Sequence, residues 1–347
     1  MDLRNGPLSV LIPQAHDYRP APGQLGQGYE MAVLDRVRTN QATATPAQPK
    51  GKAGRTATVG LLFALAATVV WSGSFIGARA LADTVPPVQH AYWRWIIALT
   101  AAAPFAARHA WRERHIILRH WRFVLLASLL GIAVYNTLVY QAGISTSAGN
   151  MGMIMAASPV VMTVYEKLGG ARLGARRVAG MLIACVGVLL LVSKGRLALD
   201  FAPGDLWMLA AALSFASYSA LLRRRPAELG ALAFLFTSFA VGAVLLTPVF
   251  LTSLAVQGGF TPTPGTVAPL LYAGVFSSAI AFFTWNKAIA LIGAGRAGLV
   301  YYLQPVFVAL LSYLILGEPT GPMQVLCMVL ILGGVVLGSV SRKALSG

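Results

Sequence analysis

From residue 58 onward the chain is a succession of apolar runs, parted by short polar gaps. A helix of roughly twenty residues, rising about 1.5 Å per residue, spans the roughly 30 Å of hydrocarbon in a bilayer. The runs have that length and predict helices over 59–81, 87–106, 123–143, 149–168, 176–193, 206–222, 231–253, 268–291, 297–316 and 322–340. The breaks carry turn chemistry, among them Pro86-Pro87, Gly169-Gly170, Pro203-Gly204, Gly258-Gly259 and Pro319. No gap could house a separate soluble domain. The expected fold class is therefore all-α and membrane-embedded, with ten transmembrane helices.

Residues 1–57 break the pattern and are rich in Pro, Gln, Ala, Thr and Gly. Such a segment buries too little apolar surface to order itself and is expected to be a disordered tail. Met31 offers an alternative start within it, which leaves the place of residues 1–30 in the native protein open.

Basic residues fall in alternate gaps. Arg108, Arg112, Arg114, Arg119 and Arg122 follow the second helix, and Lys167, Arg172, Arg176 and Arg177 follow the fourth. Arg223, Arg224 and Arg225 follow the sixth, Arg296 the eighth, and Arg342 and Lys343 the tenth. The other gaps hold only Lys194 and Arg196. Because Lys and Arg mark cytoplasmic loops, this asymmetry predicts both termini in the cytoplasm and an even number of crossings.

Displaced by 146 positions, the sequence meets itself without a gap. Gly149, Gly152, Pro159, Val160, Leu168, Gly187 and Leu191 fall on Gly295, Gly298, Pro305, Val306, Leu314, Gly333 and Leu337. A displacement of 144 lays Arg79 over Arg223. The chain thus divides into two five-helix repeats, residues 58–197 and 204–343. An odd number of crossings per repeat makes the second enter from the opposite face, and inverted repeats of this kind recur in transporters.

Composition removes other classes. Hydrophobic residues make up 57% and charged residues 11% of the chain, against about 25% charged in soluble domains. The net charge of +16 sits in short loops, so it does not build a nucleic-acid-binding face. Cys185 and Cys327 lie inside apolar runs, as small packing residues do. The histidines at 16, 90, 109, 115 and 120 lie outside the helix centres and form no metal or catalytic constellation. Nothing calls for a cofactor, and an enzyme acting on lipid-linked substrates would need paired carboxylates, a metal cluster or an activated nucleophile.

With the repeat in view, the chain resembles an EamA-type member of the drug/metabolite transporter superfamily over about residues 58–341. The matching pieces are WSGSF (71–75), Trp93-Arg94-Trp95, VYQAG (139–143), TWNKA (284–288), the two Pro-centred helices and LGE (316–318). The resemblance implies efflux of a small solute through a cavity lined by the third, fourth, eighth and ninth helices, with the fifth and tenth peripheral. It also implies residence in a bacterial inner membrane. One departure is Arg172, which stands where the family commonly carries the acid that matches Glu318.

Polar groups at membrane depth are costly and face cavities or other helices. Arg94 lies several residues inside the second helix. It either offers a fixed positive charge to an anionic solute or snorkels to the interface beside Tyr92 and Trp93. The uncharged candidates are Trp71, Ser74, Tyr135, Asn136, Tyr140, Gln141, Asn150, Trp285, Asn286, Tyr301, Tyr302 and Gln304. Aromatic walls with a few amides and hydroxyls suit a small-molecule pocket, whereas each alone could simply bond helix to helix. Pro159 and Pro305 are expected to kink their helices. The expected partners are a solute, the bilayer and a second copy through the peripheral helices, where Gly334 and Gly338 permit close contact. The expected solute is a carboxylate such as an amino acid; the alternative is a sugar or nucleotide sugar.

Overall fold

The computed structural model describes residues 50–168, 174–193 and 202–339. The expected tail is described only from Lys50 on, and Arg172 lies outside the described residues. All regular structure described is helical. In chain order the helices are α1 (Lys50–Ala80), α2 (Pro87–Arg112), α3 (Arg114–Arg119), α4 (Trp121–Ser128), π1 (Leu129–Val134), α5 (Tyr135–Gly143), α6 (Ala148–Ala156) and α7 (Ser158–Leu168). There follow α8 (Ala175–Val192), α9 (Pro203–Leu222), α10 (Ala231–Gln257), α11 (Pro264–Leu271), π2 (Tyr272–Ile280), α12 (Ala281–Tyr301), α13 (Gln304–Leu311), π3 (Ser312–Leu316) and α14 (Pro322–Ser339). Several begin on proline, whose fixed φ suits the first turn and whose missing N–H is no loss there.

Six helices among the described residues are long and apolar enough to cross a membrane: Thr56–Ala80, Trp121–Gly143, Ala175–Val192, Pro203–Leu222, Ala231–Gln257 and Pro264–Ile292. Gln304–Leu316 and Pro322–Gly338 are apolar but shorter. The expected fourth span is interrupted at Ala157, and α1 begins at Lys50, inside the expected tail.

The expected turn between the eighth and ninth spans, near 292–296, is absent as a break in helical hydrogen bonding; α12 runs through it to Tyr301. Yet the rings of Trp285 and Tyr301 lie 5.8 Å apart. In a straight helix, sixteen residues would separate them by about 24 Å. The run must double back between those two rings, in a stretch that contains Gly293 and Gly295.

Both prolines expected to lie within helices instead open new ones. Pro159 and Pro305 are the second residues of α7 and α13, each just after a break at Ala157 or at Tyr302 and Leu303. A proline there avoids the clash with the preceding turn that it would suffer mid-helix.

The principal helix pairs are α8 with α14, α2 with α10, α5 with α9, α6 with α13 and α2 with π2. Contacts gather the base-poor connections at one end, through Arg79 with Glu318, Thr146 with Asp205, Asn150 with Gln324, and Gln89 with Gly258. The basic connections meet at the other end, where Glu113 accepts from the Gly230 N–H and His120 pairs with Glu228. The hydrogen bond from His120, aided by the Arg119 charge, holds the exposed Glu228 carboxyl below its ordinary range.

The close approach that Gly334 and Gly338 allow is taken up within the chain, by α8. A Cβ at Gly180 would stand 2.4 Å from the Gly334 carbonyl oxygen and 2.6 Å from the Gly338 nitrogen. Overpacking of this kind costs about 1–3 kcal/mol. Gly180→Val is therefore expected to lower the thermal midpoint in detergent. Gly333→Ala, whose Cβ would meet open space, is expected to leave it unchanged.

Candidate functional site

Arg94 is 7% exposed and turned into the bundle, which removes the snorkelling reading. Its Nε donates to Ser278 Oγ at 3.1 Å, Nη1 to Tyr140 Oη at 2.8 Å and Nη2 to Ser277 Oγ at 3.4 Å. Its guanidinium also lies 5.1 Å from the Trp95 ring. Among the described residues no carboxylate pairs with it. Burying a guanidinium among hydroxyl groups and an indole ring, with no carboxylate beside it, carries a considerable desolvation cost.

The two serines reach Arg94 because π2 widens the helix at that point. Ser278 Oγ donates to the Ala273 carbonyl, five residues back. The Ser277 carbonyl is left to accept from Trp71 Nε1 at 2.9 Å, while Ser277 Oγ meets Ser74 Oγ. Tyr272 Oη donates to the Val70 carbonyl at 2.7 Å. This approach depends on Gly73, where a Cβ would collide with the tyrosine ring. The seam between α1 and π2 is therefore polar along several turns.

Aromatic rings wall the same region. Trp71 packs against Phe282, Trp285 and Tyr301 at centroid distances of 5.6, 5.3 and 5.8 Å. Tyr140 is buried, and His90 stacks on it at 3.6 Å with the rings nearly parallel. His90 Nε2 and Trp95 Nε1 are buried without a hydrogen-bond partner among the described residues, so the neighbourhood retains unspent donors and acceptors.

The structure thus draws Trp71, Ser74, Arg94, Tyr140, Trp285 and Tyr301 together. Tyr135 stands half-buried against Phe215 at 5.3 Å. Gln141 is half-buried at the end of α5, and Gln304 is buried with its carbonyl accepting from Ser72 Oγ. Three amides go elsewhere. Asn136 donates to the Gly131 and Ile132 carbonyls of its own helix, satisfying the widened turns of π1. Asn286 is exposed and bonds back to Phe282. Asn150 lies at the start of α6, bonded to Gln324 at the base-poor end. Tyr302 lines a separate cavity of about 910 Å³ with Pro159, Thr163, Arg176, Arg177 and Arg223.

The sequence reading missed His90, Ser277, Ser278 and Phe282. His90 was placed outside any constellation, but it lies one helical turn from Arg94 and shares its face. That i, i+4 spacing was the available signal. For the serines, only the helical break to π geometry brings them inward, and nothing in SSAI (277–280) announces it.

The family model for EamA-like transporters matches residues 58–193 and 202–340. The chain belongs to the EamA-like transporter family. As such it is a multi-pass membrane transporter of small solutes and not an enzyme. An uncharacterized transporter of Archaeoglobus fulgidus is 26% identical over 268 residues, covering 74% of this chain and 89% of its own. A Streptantibioticus cattleyicolor protein named "Probable terminal-alkyne amino-acid exporter" is 25% identical, covering 82% of this chain and 94% of its own. A crystal structure at 21% identity superposes with a TM-score of 0.55 over 84% of this chain and 99% of its own, which shows a shared fold.

In this EamA-like transporter Arg94 serves no ion pair among the described residues, so its replacement tests whether it is kept for stability. The buried Tyr140 hydroxyl would lose its bond from Arg94, and a buried polar group left unpaired costs about 1–3 kcal/mol. Arg94→Met is therefore expected to lower stability in lipid or detergent by no more than about 3 kcal/mol, read from the thermal midpoint.

Proposed function

We propose that this transporter exports small carboxylate-bearing metabolites, by alternating access between two inverted five-helix repeats. The carrying observation is Arg94: a buried guanidinium, held by three hydroxyls that a solute carboxylate could replace as acceptors. A bidentate pairing of the guanidinium with a carboxylate of opposite charge is stronger than its bonds to the neutral hydroxyls that it would displace. The aromatic wall of Trp71, Phe282, Trp285 and Tyr301 would receive the solute's apolar part. The exporter name of the Streptantibioticus relative points the same way.

Several features support the repeat. The family model matches two stretches of similar length. Shifted by 146 positions, π1 falls on 275–280, inside π2, and the break at Ala157 falls on Leu303. Helix pairing follows a two-fold pattern, since the second span packs on the seventh, the fourth on the ninth and the fifth on the tenth. The alternation of basic connections favours an inner-membrane protein with both termini cytoplasmic. On that orientation the cavity beside Arg176 and Arg223 would lie toward the cytoplasm. A sugar or nucleotide-sugar carrier is the weaker reading, because phosphates would want more deep bases than Arg94 alone. Any dimer would use faces of α8 and α14 other than the one they present to each other.

Uptake into proteoliposomes, screened across amino acids, organic acids and sugars, tests this. Arg94→Gln is expected to cut transport of the best carboxylate substrate at least tenfold, since a hydrogen bond to a charged group contributes about 1.5–3 kcal/mol. Arg94→Lys should retain part of it. Equal transport by the parent and Arg94→Gln, or equal transport of the acid and its neutral amide, would refute the carboxylate assignment.

A further inference from the structure

The carboxylate of Glu318 joins four elements at the base-poor end. Its Oε1 accepts from Arg79 Nε at 3.0 Å, at the end of α1. Its Oε2 accepts from the Ala148 N–H at 3.1 Å, which opens α6, and from Ser312 Oγ at 2.7 Å in π3. Arg79 Nη1 in turn donates to the Gly143 carbonyl at 3.1 Å, which ends α5. Gly317 makes this possible by turning the chain through φ of +66°, a conformation that L side chains rarely adopt.

We propose that Arg79 and Glu318 form an ionic latch that holds this end of the transporter shut, and that the latch must open in every transport cycle. The partners lie on opposite sides of the repeat boundary: Arg79, Gly143 and Ala148 in the first half, Ser312 and Glu318 in the second. Any rocking that opens a path here pulls Glu318 from the amino end of α6, where a negative charge is favoured by the helix dipole. Three more polar contacts cross between the halves at the same end, Thr146 with Asp205, Asn150 with Gln324 and Gln89 with Gly258. The Arg79 and Glu318 side chains are 33% and 24% exposed, so water can take over their hydrogen bonds when they part. Partial exposure makes the contact reversible.

The two ends are unequal. Under the repeat shifts Glu318 falls on Arg172 and Arg79 on Arg223. Two like charges cannot rebuild the same bridge at the corresponding positions. The latch rests on the alternating-access reading but not on the carboxylate assignment.

The test uses the full chain with Cys185 and Cys327 replaced by Ser, in solute-free lipid nanodiscs. Single cysteines are placed at Met151, buried in the first turns of α6, or at Val160, in the wall of the large cavity. Labelling by a hydrophilic maleimide is then timed. Arg79→Gln and Glu318→Gln are expected to speed labelling at 151 on the order of fivefold, the scale of one partly exposed charge pair, and to slow it at 160. Arg79→Lys should keep the parent rates. Because Glu318 also caps α6, Arg79→Gln is the decisive variant if Glu318→Gln fails to fold. Faster labelling at both positions would mean a generally loosened bundle and overturn the latch, as would an unchanged rate at 151. Since no solute is present, failure of the carboxylate assignment cannot produce either result.

Discussion

Hydrocarbon offers no hydrogen bonds, so each polar group in a membrane-spanning chain must find its partner within the protein. Most hydroxyls here meet that demand locally. Thr68, Ser72, Ser128, Thr137, Thr163, Thr247 and Thr284 each bond to a carbonyl four residues back in their own helices. Such bonds fix no tertiary contact and survive any rigid-body motion. The polar groups that reach between helices are therefore the informative minority. They gather at the seam of α1 and π2, around Arg94, and at both ends of the bundle.

The π segments extend the same logic to the backbone. A wider turn releases carbonyls from the usual i to i−4 ladder, and each must be bonded anew. In π1 the amide of Asn136 does this for Gly131 and Ile132. In π2 the task is shared with another helix, since Trp71 bonds the Ser277 carbonyl. The second arrangement ties a local defect to tertiary contact, and it turns Ser277 and Ser278 toward Arg94. Both segments reach a neighbouring helix, π1 through Ser214, which donates to the Leu130 carbonyl at 2.8 Å, and π2 through Trp71, but π2 is the one that turns hydroxyls toward Arg94.

The hydrocarbon constraint also explains what could be read from the sequence. Apolar runs of fixed length and the segregation of Arg into alternate gaps are direct responses to the bilayer, so the all-helical, membrane-embedded fold was legible, whereas the break at Ala157 and the continuous helix from Ala281 to Tyr301 were not. Arg94, Trp71 and Tyr140 were legible because large or charged groups at depth have few alternatives to facing inward. Asn136 and Asn286 were not, because composition does not reveal the direction of an amide around a helix, and both bond to their own backbone. The Arg79–Glu318 pair was out of reach for another reason. Its members lie 239 positions apart, and each alone reads as an ordinary end-of-helix charge.

Arg94 and Arg79 are both cations at the seam, and the difference between them is physically instructive. Arg79 is partly hydrated and has a carboxylate, so its pairing can be exchanged for water at modest cost. Arg94 is buried among neutral hydroxyls, a placement that packing alone would not favour. A charge kept in that state is stabilised most by an anion arriving from outside the protein. The reversible pair suits a moving boundary, and the uncompensated one suits a binding site. Under the proposed cycle, the two locations thus carry different electrostatic arrangements for different tasks.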